Sequence, residues 1–366
     1  MINKDSYFDK ETFNILKGSA VILLFVHHFF TFPEFYLPEY LYPGLYFYEK
    51  YFQFSTNMCV AIFAFLTGYG IYFSNHKGFR SFLFKAKKVL TIYWFIFLTL
   101  LFCAVVFVNY RINARQMMLE FLGFSEISLN GDIIIFFWYM PFYLTILFLL
   151  SVCFPLQRCF MFILTDIFFV IIMPVFLFSF LGNLSQNCFC LKRFFVDLML
   201  WFPCVMMGSI SAKYALLQRL DSFFELFYKK SVISLFLIPV VFVAFVFYGM
   251  YKMPGRIFYL QSSLFLPIVF NMSVCYVLFL IYAIIKLFKL INIEITHCIV
   301  AEFGRLSLYM WLIHGLFFNV FKNYTQPILF LPKFPVLILA WGLFICYLLS
   351  KFFEALINGV YSIIYS

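Results

Sequence analysis

Lys17 and His28 stand eleven residues apart in a run that is otherwise almost wholly apolar, Phe13-Asn-Ile-Leu-Lys17-Gly18-Ser19-Ala20 leading to Val-Ile-Leu-Leu-Phe-Val and then His27-His28. At 3.6 residues per turn this separation is within about 20° of three whole turns, and the rise is about 16 Å. The two side chains therefore share one face of a helix, a cation near its start and an imidazole deeper in. His27 points roughly 100° away and is assigned to support, hydrogen-bonding a neighbouring helix. Ionisable groups inside an apolar helix mark functional sites. An imidazole can take a proton from an acceptor hydroxyl, and a cation at the aqueous edge can hold an anionic donor. Acyl-coenzyme A has that shape, with phosphates at one end and a thioester at the tip of a long flexible arm. Such a donor would suit the spacing, its phosphates at Lys17 and its thioester near His28.

The elements that must position these residues follow from composition. Of 366 residues, 65% are hydrophobic and only 11% charged, and 59 are Phe. A soluble globular protein carries about 25% charged residues, so this chain cannot cover a water-exposed surface. That excludes a soluble enzyme, a disordered chain and a nucleic-acid binder, and it turns the net charge of +10 into a question of placement. The expected fold is all-α, a polytopic bundle of about ten transmembrane helices. Runs of the length a helix needs to cross the hydrocarbon core fall at 14–32, 55–74, 89–110, 133–153, 160–180, 198–212, 232–251, 259–285, 306–321 and 334–350. The connections between them are short, so residues 1–366 are expected to form a single transmembrane domain. No cleavable leader is expected, because the first ten residues are polar and mixed in charge.

Lys and Arg in the short loops set the orientation. With the N-terminus inside, 17 of the 26 basic residues face the cytoplasm and 9 face out. Both termini are therefore expected in the cytoplasm of a multi-pass cell-membrane protein. Most of the ten cysteines lie in apolar runs, where Cys packs as a small hydrophobe. Cys188 and Cys190 share a loop, but their spacing suits neither a mutual disulfide nor a metal site, and no metal is expected. Glu302 is expected to serve at the N-terminus of the ninth span, where anions are favoured. Asp166, near the inner end of the fifth, is expected to pair with a basic residue or cap a helix. Lys85, Lys87 and Lys88 suit either anionic lipid headgroups or a coenzyme's phosphates, and Trp138 and Tyr139 suit an interfacial aromatic belt.

Several stretches, in order, resemble the membrane acyltransferase-3 family. Lys17 through His28 is similar to its opening Arg/Lys…His helix. Ile62-Phe-Ala-Phe-Leu-Thr67-Gly68-Tyr69-Gly70-Ile71 resembles its second-helix motif, with Thr67 where Ser is usual. Lys85 and Lys88-Val-Leu-Thr91-Ile-Tyr-Trp94 resemble its basic stretch, with lysines for arginines and Thr91 for Pro. Trp138-Tyr139-Met140 is similar to its Trp-Phe-Leu element, and Gly304-Arg305-Leu306-Ser307 followed by His314 to its late Gly-x-x-Ser…His motif, with Trp311 for Tyr. The resemblance spans residues 13–320.

The resemblance implies an integral-membrane O-acyltransferase, most often one that moves acetyl from cytoplasmic acetyl-CoA to a hydroxyl of a cell-surface glycan. It carries His28 over as catalytic base and Lys17, Lys85 and Lys88 as contacts for coenzyme A. His27, Tyr69, Trp138, Ser307 and His314 become substrate-side or structural support. The partners implied are membrane lipid and a glycan acceptor. A transporter or flippase for lipid-linked sugars, or a polysaccharide polymerase, is the alternative reading. The short outer loops count against a polymerase, and the lack of matched broken helices in two halves counts against a transporter.

Overall fold

The computed structural model describes residues 7–30, 58–74, 78–111, 113–122, 139–153, 189–228, 265–317 and 321–365, with single positions at 237, 240, 241 and 244. These residues are about 90% helical with no strand, which makes the described part all-α. The helices are α1 (Lys10–Phe30), α2 (Met58–Phe73), α3 (Phe79–Val108), α4 (Ala114–Phe121), α5 (Tyr139–Phe148), α6 (Phe189–Lys213), α7 (Leu216–Tyr228), α8 (Phe265–Ile291), α9 (Glu294–Arg305), α10 (Ser307–Ile313), α11 (Lys322–Leu329) and α12 (Pro335–Tyr365). A π turn over Leu149–Cys153 continues α5, and a 3₁₀ turn over His314–Phe317 continues α10.

Three helices among the described residues are long and apolar enough to cross a membrane: Lys10–Phe29, Phe79–Val108 and Pro335–Val360. Helices α2, α5 with its π turn, and α10 with its 3₁₀ turn are apolar but shorter. The expected run at 160–180 lies outside the described residues, as does all of 232–251 but its single positions. Several boundaries move for physical reasons. Helix α3 begins at Phe79, ten residues before the expected run, because Lys85, Lys87 and Lys88 are good helix formers that extend it. Its start is pinned where Gly78, at φ 82°, donates its N–H to the Ser151 carbonyl of the π turn at 2.9 Å. It ends at Asn109, left-handed at φ 53°, with the Tyr110 N–H returning to the Ala104 carbonyl at 3.0 Å. The run expected over 306–321 starts where expected, Leu306 separating α9 from α10, but α10 has only seven residues before the 3₁₀ turn at His314. The connection expected over 286–305 is instead mostly helix, the end of α8 followed by α9.

Helix α1 stands between two apolar cores. Leu16, Ala20 and Leu24 join a core built with α2, α5, α6, α7 and α8. Val21, Phe25 and Phe29 join a second one built with α3, α10, α11 and α12. Asp9 caps its start, with Oδ1 accepting the Thr12 N–H at 2.7 Å.

Two helix pairs approach so closely that only glycine fits. A Cβ at Gly18 of α1 would sit 1.9 Å from the Val300 carbonyl oxygen of α9, and one at Gly304 would sit 1.8 Å from that of Asn14. Helices α2 and α6 repeat the device: Gly68 would meet the Val205 oxygen at 1.8 Å and Gly208 the Phe65 oxygen at 2.0 Å. Lipid gives helices no hydrophobic reason to associate, so close backbone packing through small residues carries the association.

Candidate functional site

The stripe of α1 that holds Lys17 and His28 continues through Val21 and Leu24, both buried. This face therefore points into protein. His28 is 6% exposed and His314, from the 3₁₀ turn after α10, is 0% exposed. Their rings lie 4.9 Å apart, centroid to centroid. His27 is half-buried with its ring 4.8 Å from that of His28, so all three imidazoles adjoin. Among the described residues no group of His, Cys, Asp and Glu is arranged to hold a metal ion.

The His314 ring is held by its own turn. Its Nδ1 faces the Trp311 carbonyl oxygen in a short hydrogen bond. A carbonyl cannot donate, so Nδ1 carries the proton, and in the neutral ring Nε2 is the acceptor nitrogen. Phe25 flanks the same ring at 6.2 Å. The Trp311 indole meets Tyr139 of α5 edge-on at 5.6 Å, and Thr67 of α2 lies beside the Tyr139 hydroxyl. Helices α1, α2, α5 and α10 thus contribute to one aromatic-walled region. Trp138 lies outside the described residues. Ser307 opens α10, half-buried and two turns from His314.

At the other end of the stripe Lys17 is half-buried, its Nζ 4.9 Å from the centre of the Phe13 ring. Lys88 of α3 is near enough for the two charges to act on each other. Lys85 turns elsewhere, its ammonium donating to the Ser74 hydroxyl at 2.9 Å just past the end of α2. Lys87 and Lys88 are exposed. The Lys88 charge thus acts on Lys17 across the α1–α3 side, and Lys85 braces α2 against α3.

Tyr69 belongs to a different neighbourhood. It is buried, packs on Phe8 with ring centres 4.4 Å apart, and its hydroxyl accepts the Tyr7 N–H at 3.1 Å. The Tyr7 hydroxyl in turn donates to Asp221 of α7, which also accepts from Tyr282 of α8 at 2.8 Å and pairs with the buried Lys286 ammonium. Burial works against the Asp221 charge, but hydrogen bonds from Lys286, Tyr7 and Tyr282 outweigh it and hold the carboxyl below its usual range. The same surroundings push the Tyr7 hydroxyl up, burial first and Asp221 next. This clamp ties the entry of α1 to α2, α7 and α8. Sequence reasoning counted Lys286 only as a topology-setting charge. Its position within the last two turns of an apolar helix is the signal that could have marked it as paired.

Glu302 does not serve the N-terminus of a span. It lies in the last turn of α9, where Arg305 Nε donates to it at 2.7 Å and Lys351 of α12 approaches at 2.6 Å. Arg305 also bridges to Glu354 of α12, one of its bonds being 2.9 Å long. The break at Leu306 is the reason: it makes residues 294–305 a helix of their own, so Glu302 falls at a C-terminus.

Comparison with protein-family models, curated proteins and solved structures finds no match to this chain.

Proposed function

We propose that this protein is an integral-membrane O-acyltransferase, moving an acyl group, acetyl in the first instance, from acyl-CoA to a hydroxyl of a cell-surface glycan. The observation that carries the reading is the α1 stripe, with Lys17 at one end and buried His28 beside His314 at the other. On this reading coenzyme phosphates rest on Lys17 and Lys88, with Lys85 bracing that mouth. The pantetheine arm carries the thioester toward His28.

The chemistry then needs one base. Neutral His28 takes the proton of the acceptor hydroxyl, and the oxygen attacks the thioester carbon. The C–S bond breaks, and the coenzyme leaves as a thiol with the proton returned by the imidazolium. His314, held by Trp311, packs its ring against that of His28 and so orients the base toward the acceptor. His27 supports the wall beside His28 and Tyr69 the clamp at the entry of α1, while Trp138 and Ser307 keep the substrate-side or support role that the resemblance implies. The bundle has about ten spans in the cell membrane with both termini cytoplasmic.

The test is transfer of radiolabelled acetyl from acetyl-CoA by the purified protein to a glycan fraction, together with mass spectrometry of surface polysaccharide with and without the gene. Thioester-dependent transfer supports the enzyme. An unchanged glycan and no transfer favour a transporter or polymerase.

A further inference from the structure

Helix α3 is apolar to its last turn. No charged residue falls between Lys88 and Arg111, and Leu98, Phe102, Val106 and Phe107 are exposed along its outer side. That side needs lipid as far as Val108, so residues 89–108, about 30 Å of helix, span the hydrocarbon core. Past the left-handed Asn109 the chain turns back along α3. The Tyr93 hydroxyl donates to the Glu120 carbonyl oxygen, and the Trp94 indole N–H donates to that of Phe121 at 3.2 Å. The Trp94 and Phe121 rings stack at 5.2 Å, and Phe97 meets Phe121 edge-on at 6.2 Å. Phe97, Trp94 and Tyr93 stand 11, 14 and 15 residues before Val108, about 16–22 Å back down the helix. The far end of α4 therefore lies past the middle of the core, although in sequence it falls in a connection between two apolar runs.

We propose that α4 is a re-entrant helix, which enters the membrane on the side where α3 ends and stops inside it, its Met118, Phe121 and Leu122 stripe against lipid acyl chains. This inference is independent of the acyltransferase reading. The chemistry along the segment follows the depth. Its basic residues come first, Arg111 just ahead of α4 and Arg115 in its first turn, at the headgroup end. Met118, Phe121 and Leu122 come last, all exposed and on one side at i, i+3 and i+4. Glu120 points the opposite way and is only 1% exposed, the protein-facing placement that an ionisable residue takes at membrane depth. The last carbonyls of a helix have no partner within it, and lipid supplies none. Tyr93 and Trp94 donate to two of them, which a helix ending in water would not require. A second copy of the chain fits the stripe less well, because three side chains fall far short of the roughly 1,000 Å² a stable protein interface needs.

The experiment uses the full chain in nanodiscs of phosphatidylethanolamine and phosphatidylglycerol, which leave both membrane faces open to reagents. In separate discs a fraction of the lipid carries a diazirine at its headgroup or at the end of an acyl chain, and adducts on the wild-type protein are mapped by mass spectrometry. The expected result is adducts within residues 117–122 from the chain-end probe in excess of those from the headgroup probe. An excess from the headgroup probe overturns the proposal, because α4 then lies at the surface. Absence of chain-end adducts overturns it as well. Three cysteine variants, Arg111→Cys, Met118→Cys and Leu122→Cys, are then read peptide by peptide with a sulfonated maleimide. Arg111→Cys should react in the native disc, and the other two only after denaturation. Reaction of Met118→Cys or Leu122→Cys in the native disc overturns the proposal, because the stripe then faces water. Linkage of two chains through Met118→Cys by a short bis-maleimide also overturns it, in favour of a second copy. Should a variant fail to fold, the wild-type adducts decide alone.

Discussion

The His314 ring lies 4.9 Å from that of His28, and its Nδ1 is tied to the carbonyl of Trp311 on the same turn. One imidazole is thus positioned by its own backbone, and the other, on α1, is positioned against it. If the pair acts as base and orienter, His28→Ala lowers acyl transfer by a factor on the order of 100 or more, the span general bases typically contribute being 10²–10⁴. His314→Ala lowers kcat with little change in the acyl-CoA KM. The double variant is no slower than His28→Ala alone, since residues that act as a unit are not additive. His27→Ala keeps measurable activity. Rates at equal membrane abundance decide this, and an active His28→Ala protein defeats the mechanism.

Lys17 stands at the other end of the stripe, with the Lys88 charge near enough to act on it. A phosphate contact remote from the thioester is made equally in the ground and transition states. Lys17→Ala and Lys88→Ala should therefore raise the acyl-CoA KM and leave the saturated rate near wild type. Initial rates across a range of acetyl-CoA concentrations separate the two parameters. A fall confined to the saturated rate removes the anchoring role.

Gly18 and Gly304 allow α1 and α9 to touch backbone to backbone. Gly18→Ala places a methyl 1.9 Å from the Val300 oxygen, so the helices must part. The expected cost is on the order of 1–3 kcal/mol, the usual range for overpacking. Gly359 of α12 has nothing within 4 Å of an added Cβ, and Gly359→Ala should hold or slightly raise stability. Thermal melts in detergent compare the two; equal melts mean the close approach does not matter.

Lys286 is buried against Asp221. Asp221→Asn leaves that ammonium without its counter-charge and should cost about 3 kcal/mol, the lower end of the range for breaking a buried pair. Adding Lys286→Met removes the stranded charge and should recover most of the loss. Melts of both variants check this, and a double variant no better than the single one argues against the pairing.

The Glu302 carboxyl is held down to about 2, from an ordinary 4.5, by hydrogen bonds from Arg305 and Lys351 that outweigh its partial burial. A carboxylate depressed in the folded state contributes stability above its unfolded value, near 4.5, and that contribution is lost as pH falls toward 2. The melting temperature of the solubilised protein should drop across that window. Glu302→Gln should start lower at pH 6 and drop less. Parallel curves for the two proteins count against the coupling.

Much of this was legible without coordinates because it is local. Apolar composition requires helices in a membrane, where every backbone group must be satisfied within its own segment. The 3.6-residue period alone puts Lys17 and His28 on one stripe, and α1 keeps them there. Single apolar runs located most of the described helices for the same reason. Periodicity does not name partners, however. His314 meets His28, Val300 meets Gly18, and Lys286 meets Asp221 only through packing between segments far apart in the chain. Glu302 shows the limit most clearly. As a residue ahead of an apolar run it suited a helix start, yet a break at Leu306 made it a helix end. There the negative end of the helix dipole favours cations, and Arg305 and Lys351 supply them.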